Sequence, residues 1–109
     1  DVHAMKKGTA LLLGTHDFMS FCGNKHFKKS SVRTIRDISL TLSGGELAID
    51  YRGDGFLQNM IRIITGTLVE IGEGKKRAEE IPAILEEKDR AEAGFTAPPQ
   101  GLVLVEVVY

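Results

Sequence analysis

Apolar and polar residues alternate in this chain with two different periods, and the periods mark its elements. Ile38, Leu40 and Leu42 alternate with Asp37, Ser39 and Thr41, and Leu47, Ile49 and Tyr51 alternate with Ala48, Asp50 and Arg52. A period of two predicts strands over 32–42 and 47–52. Ser43-Gly44-Gly45-Glu46 between them is a hairpin turn sequence. Phe56, Met60, Ile64, Leu68 and Ile71 recur at helical spacing, with Leu57, Ile61 and Ile63 widening the stripe. That predicts a mostly buried helix over 56–71, with Asp54 placed to cap it and Gly72 and Gly74 to end it. Val2, Met5, Leu12 and Leu13 predict a helix over 2–13 behind an Asp1 cap. Ile81, Ile84 and Leu85 predict a helix over 79–88, in which Pro82 is tolerable only within the first turn. Residues 14–31 have no clear period and read as a loop with aromatic anchors. Leu102 to Val108 is an apolar strand.

The predicted order is therefore α-β-β-α-α-β. Strands with helices on one face make an α+β fold. The arrangement fits half of a ferredoxin-like αβ-plait with a largely antiparallel sheet, the first strand of the βαββαβ order being missing. Val103, Val105 and Val107, or their neighbours, are expected to face the helices. The chain starts at Asp1 without a Met and stops inside the strand-like run Val107-Val108-Tyr109. It therefore reads as one domain, 1–109, of a longer protein.

Composition narrows the class. Of 109 residues, 42% are hydrophobic and 27% charged, which suits one globular core and excludes disorder. No purely apolar run is longer than four residues, the length of Ala10 to Leu13, far short of a membrane span. No secretory signal is visible. The single Cys22 cannot form an internal disulfide and suits a reducing, cytoplasmic setting.

The net charge of −1 hides a cluster. Lys25, Lys28, Lys29, Arg33 and Arg36 fall within twelve residues that contain no acid. Such a segment is either a phosphate-binding surface or a solvated loop. The segment 70–92 mixes eight acids with five bases, as an ordinary solvated surface does.

Arg62 is the other oddity, because it sits inside the apolar helix with Gln58, Asn59, Thr65 and Gly66 as its polar neighbours. No acid shares that stripe within a turn. A guanidinium stays charged, and burying it unpaired is expensive. Either its stem packs and its head reaches water, or it meets a carboxylate or phosphate from outside the helix. In the second case Gly66 leaves room for that partner to approach. Ala97-Pro98-Pro99 fixes an extended path, and Gly101 permits close approach just before Leu102. This loop is either a rigid connector or the wall of a ligand site. His16, Cys22 and His26 could form a three-ligand metal set, but a zinc site calls for a fourth ligand or a CxxC pair, and these residues supply neither. Gly72-Glu-Gly-Lys-Lys ends a helix instead of opening one, so it is no phosphate loop. Tyr51 and Tyr109 read as core or edge residues.

Taken together, four segments resemble the C-terminal half of the tRNA pseudouridine synthase A family. They are Gly14-Thr-His-Asp-Phe-Met-Ser-Phe, Lys29-Ser-Ser-Val-Arg-Thr-Ile, the run from Gly53-Asp-Gly-Phe-Leu-Gln-Asn-Met-Ile-Arg to Gly74-Lys, and Asp89-Arg followed by Ala93-Gly-Phe-Thr-Ala-Pro-Pro-Gln-Gly-Leu-Val-Leu. The resemblance implies an enzyme that isomerises uridine to pseudouridine in the tRNA anticodon stem-loop, without metal or cofactor, and forms homodimers. It implies that the nucleophile is an Asp in a Gly-Arg-Thr-Asp motif of an N-terminal half. That motif is absent from this sequence, so the fragment alone should be inactive. Arg62 matches the Arg that pairs with that Asp. Leu102 matches an apolar residue of the uracil pocket, with Gly101 beside it. The basic residues 25–36 fall where the family faces tRNA. Gln58 and Val103 stand where the family often has Tyr, which leaves substrate detail open. Two alternatives are a non-enzymatic RNA-binding plait module and a small regulatory or assembly domain that binds no nucleic acid. Salt-dependent RNA binding by the isolated domain marks the former, and the lack of any tRNA shift at low salt marks the latter.

Overall fold

A computed structural model describes residues 1–24, 26–44, 46–97 and 103–107, with the backbone alone at 43, 46 and 103–107. Helix α1 (Val2–Leu12) begins behind Asp1, whose side chain accepts from the Ala4 amide. Strand β1 (Gly14–Asp17) follows, then β2 (Val32–Ser43) and β3 (Glu46–Gly53). Helices α2 (Met60–Gly72) and α3 (Ile81–Glu87) lead to β4 (Val103–Val107). The four strands lie side by side in the order β1-β2-β3-β4. The pairs β1/β2 and β2/β3 are antiparallel, and β3/β4 is parallel. A parallel neighbour requires a long crossover, and α2 and α3 supply it. The expected α+β architecture with a largely antiparallel sheet is present.

The sheet buries one face. Ile35, Ile38, Ile49 and Tyr51 share one core with Met5 and Leu12 of α1, with Ile63, Ile64, Leu68 and Ile71 of α2, and with Ile81, Ile84 and Leu85 of α3. Ile35 belongs to this face although it is three residues from Ile38. A bulge between Ile35 and Asp37 inserts Arg36 and restores the phase. Val103, Val105 and Val107 register against Ile49, Tyr51 and Gly53.

Three boundaries differ from the pattern reading. The first is β1, which the loop reading of 14–31 misses. It is four residues long, carries no alternation, and exists because β2 offers it a ladder from Ile35 to Val32. The second is the start of α2, four residues later than predicted. Asn59 adopts a left-handed backbone (φ 58°), which breaks the helix upstream. Leu57 is buried and Phe56 packs on the core without being helical, so their apolar character extends the periodic pattern past the true helix end. Asp54 accordingly does not cap α2; its carboxylate pairs with Arg36. The third is the start of α3, where Ala78–Glu80 form a 3-10 turn and Pro82 takes the second helical position, as its missing amide requires. At its other end α2 closes as expected. The Gly74 amide donates to Ile71 and the Lys75 amide to Glu70, with Gly74 at φ +82°.

Tyr51 locks sheet to helix. Its hydroxyl is fully buried and lies 2.7 Å from Oγ1 of Thr65, which itself donates to the Ile61 carbonyl. Burial pushes this hydroxyl well above its ordinary value of 10, against a smaller downward pull from the Thr65 hydrogen bond. The folded state therefore keeps the proton after the unfolded chain has begun to lose it. The stability tied to Tyr51 is complete below pH 10 and erodes as pH rises toward the higher folded value. Urea titrations at pH 9 and pH 11 check this: Tyr51→Phe should lose about 1 kcal/mol at pH 9 and less than the parent on going to pH 11.

Candidate functional site

Arg62 lies in the first turn of α2, at its third residue. Backbone dipoles sum to a positive potential at a helix N-terminus, so a cation here adds to the field instead of offsetting it. The first turn of α2 holds no acidic residue. The side chain is half-buried. Its Nε donates to the Ala97 carbonyl at 2.7 Å, and its Nη1 donates to Oδ1 of Asn59 at 3.3 Å. The Ala97 amide returns a bond to the Arg62 carbonyl at 3.0 Å. Two of the five guanidinium N–H groups are thus engaged. Among the described residues no carboxylate forms an ion pair with Arg62. The arrangement is a fixed cation with donors to spare, aimed from the positive end of a helix. It can hold an anion brought from elsewhere.

Helix α2 and the segment after α3 are bolted together along one seam. The Gly94 amide donates to Oγ1 of Thr67 at 2.8 Å, and Phe95 donates to Oε2 of Glu70 at 3.0 Å. Two glycines allow the approach. A Cβ on Gly66 would sit 1.8 Å from the Phe95 carbonyl oxygen, and one on Gly94 would sit 2.7 Å from Cα of Thr67. The space beside Gly66 is thus filled by the chain's own backbone and not by an incoming partner, which corrects the reading from sequence. The rest of the polar stripe is divided as well. Thr65 faces the core, and Asn59 serves the guanidinium.

The basic segment is held at both ends. The Phe18 amide donates to the Ser31 carbonyl, and the Ser31 hydroxyl donates to the Asp17 carboxylate. Asp17 also accepts from the Met19 amide and lies 3.7 Å from Nζ of Lys88. At the far side the Gly23 amide donates to the Gln58 carbonyl at 2.8 Å, which brings the loop against the start of α2. Lys28 and Lys29 are exposed. Arg33 folds back, its Nη1 donating to the Ser30 and Val32 carbonyls. Arg36 is paired with Asp54. The four described cations are therefore not equivalent: Lys28 and Lys29 are displayed, while Arg33 and Arg36 have protein partners. Lys25, Gly101 and Leu102 lie outside the described residues.

His16, Cys22 and His26 are not brought together. Nε2 of His16 is 2.8 Å from the Leu13 carbonyl and its ring stands edge-on to Phe18, Cys22 is buried, and His26 is exposed. Among the described residues no three potential ligands cluster for a metal ion. Sequence reasoning misses Thr67, Glu70 and Asp17, and it reads Ala97 only as part of an extended loop, without its bonds to Arg62. Ala97 contributes only backbone, which no side-chain pattern reveals. The one available signal was the glycine at 94, opposite the glycine in α2.

The family model described as tRNA pseudouridine synthase matches residues 9–109. Among curated relatives, tRNA pseudouridine synthase A of Halalkalibacterium halodurans is 53% identical over 103 residues, covering 94% of this chain and 39% of the relative. The enzymes of the same name from Acetivibrio thermocellus and Brevibacillus brevis are 50% and 49% identical over 109 residues, each covering 100% of this chain and 45% of the relative. The chain thus spans less than half the length of the curated relatives it matches. With the family model spanning residues 9–109 and relatives about half identical along the chain, this chain belongs to the tRNA pseudouridine synthase family.

Proposed function

We propose that this chain is the C-terminal part of a tRNA pseudouridine synthase that converts uridine to pseudouridine in the anticodon stem-loop. In that reaction the N1–C1′ glycosidic bond breaks, the uracil turns, and a C5–C1′ bond forms. C5 gives up its proton and N1 regains one, so atoms balance without an external reactant. The reading assigns the nucleophile to an Asp of an N-terminal half and assigns Arg62 to that carboxylate. The observation that carries it is Arg62 itself: a half-buried cation at the positive end of α2, held by Ala97 and Asn59, with donors left for an anion. A guanidinium in that place keeps a carboxylate ionised and oriented. Gly101 and Leu102, downstream of the anchored Ala97, are assigned to the uracil pocket. The intact protein is assigned a homodimeric state, and sedimentation checks that.

The test is direct. The 109-residue chain alone should release no tritium from 5-tritiated uridine in tRNA, because no Gly-Arg-Thr-Asp nucleophile is present. Turnover by the isolated chain would overturn the division of roles.

Lys28 and Lys29 are assigned to the tRNA backbone, with Lys25, Arg33 and Arg36 beside them. In the intact protein, replacing Lys28 and Lys29 by Gln should weaken tRNA binding and lower the slope of log K against log salt by about 1–2. The same change at Arg36 should have a smaller effect, since that charge is already paired with Asp54. An aromatic platform for stacked bases is not supported. Tyr51 is the one Phe, Tyr or Trp on the described strands, and it is buried under α2.

A further inference from the structure

The guanidinium of Arg62 owes its direction to a carbonyl that belongs to another segment. Ala97 lies thirty-five residues away, and the segment leading to it holds no regular helix or strand from Ala93 onward. Such a segment drifts unless something ties it down. Here the ties run in sequence along α2: Glu70 takes the Phe95 amide, Thr67 takes the Gly94 amide, and Arg62 exchanges two bonds with Ala97. Thr67 is fully buried and serves both elements, since its hydroxyl also donates to the Ile63 carbonyl at 2.9 Å. That second bond leaves the oxygen's lone pairs facing Gly94, so the hydroxyl has one orientation and one acceptor task. Arg90 adds a tie from the other side, with Nη2 3.1 Å from Oγ1 of Thr96.

We propose that Thr67 and Glu70 are positioning residues for the isomerisation, acting through Ala97 to set where the Arg62 guanidinium points. Neither touches the reacting atoms. The inference rests on the assignment of Arg62 to the nucleophilic carboxylate. A shift of about 1 Å in a catalytic group can lower a rate on the order of a hundredfold, so a loosened carbonyl is enough to matter.

The test uses the intact protein, single-turnover tritium release at saturating tRNA, and tRNA affinity measured separately. Thr67→Val keeps the shape and removes the acceptor for Gly94, and it should slow the chemical step about tenfold with tRNA affinity unchanged. Thr67→Ser keeps the acceptor and should restore the rate to within about twofold of the parent. Glu70→Ala, at a half-buried position less demanding for folding, should show a smaller loss of the same kind. The decisive arm places Thr67→Val in an Arg62→Ala background. If Thr67 works through Arg62, the second change has no further effect there. A penalty that persists undiminished in that background, or a Thr67→Val protein as fast as the parent, overturns the inference. If Arg62→Ala itself turns over at the parent rate, the assignment of Arg62 fails first, and that result is distinguishable from the others.

Discussion

Replacing Arg62 by alanine in the intact protein should lower the single-turnover rate by on the order of a hundred- to a thousandfold, the usual loss when one preorganised charge-stabilising group is removed. Binding of tRNA should stay nearly unchanged, because on this assignment the guanidinium addresses a protein carboxylate and not a phosphate. Two features of the geometry sharpen the expectation. The side chain stands in the first turn of α2, where the helix field already favours an anion, so the truncated enzyme keeps part of the attraction but loses the directed donors. Without the cation, the nucleophilic carboxyl loses the partner that favours its ionised form, so the acid limb of the pH–rate profile should move to higher pH. Arg62→Lys should rescue little of the rate, since an ammonium has no planar fork and cannot hold Ala97 through an Nε donor while facing a carboxylate. Filter binding beside tritium release checks this. Equal losses in rate and in affinity would place Arg62 on the RNA instead.

Gly66→Ala should be the most damaging small substitution for the fold. The added methyl would fall 1.8 Å from the Phe95 carbonyl oxygen, a distance no backbone pair accepts. Helix α2 cannot move aside, because Ile64 and Leu68 on its other face are fully buried. The segment 94–97 must therefore lift away. Overpacking of this kind costs about 2–3 kcal/mol, which in a domain of this size lowers Tm by roughly 10–20 °C. Hydrogen exchange distinguishes lifting from general unfolding. The amides of Gly94, Phe95 and Ala97 should lose protection, while those in the middle of α2 keep theirs. An unchanged melting temperature with the three amides still protected would show that the seam tolerates a side chain.

Much of the molecule can be read before any coordinates are seen. The alternations 37–42 and 47–52 place β2, β3 and their hairpin, because one buried face imposes a period of two. The spacing from Met60 to Ile71 places α2 for the same reason at period 3.6. Arg62 stands out because a charge among apolar residues conflicts with burial, and a conflict of that kind is visible without neighbours. The elements that pattern reading misses are those whose stabilisation comes from outside their own residues. Strand β1 takes its structure from the free edge of β2, and the late start of α2 is decided by the left-handed backbone of Asn59. Arg36 looked like part of an open basic patch. A bulge and the neighbouring Asp54 give it a partner eighteen residues away.

The periodic elements β2, β3 and α2, the face each buries, and a cation in α2 with no acid on its own stripe are local properties, and periodicity and side-chain chemistry suffice to state them. The aim of that cation is a different kind of property. It depends on a backbone carbonyl at Ala97 and on two glycines, at 66 and 94, that let separate segments touch. Backbone groups are the same in every residue, so their pairings leave no trace in composition or period and appear only when the chain has closed on itself.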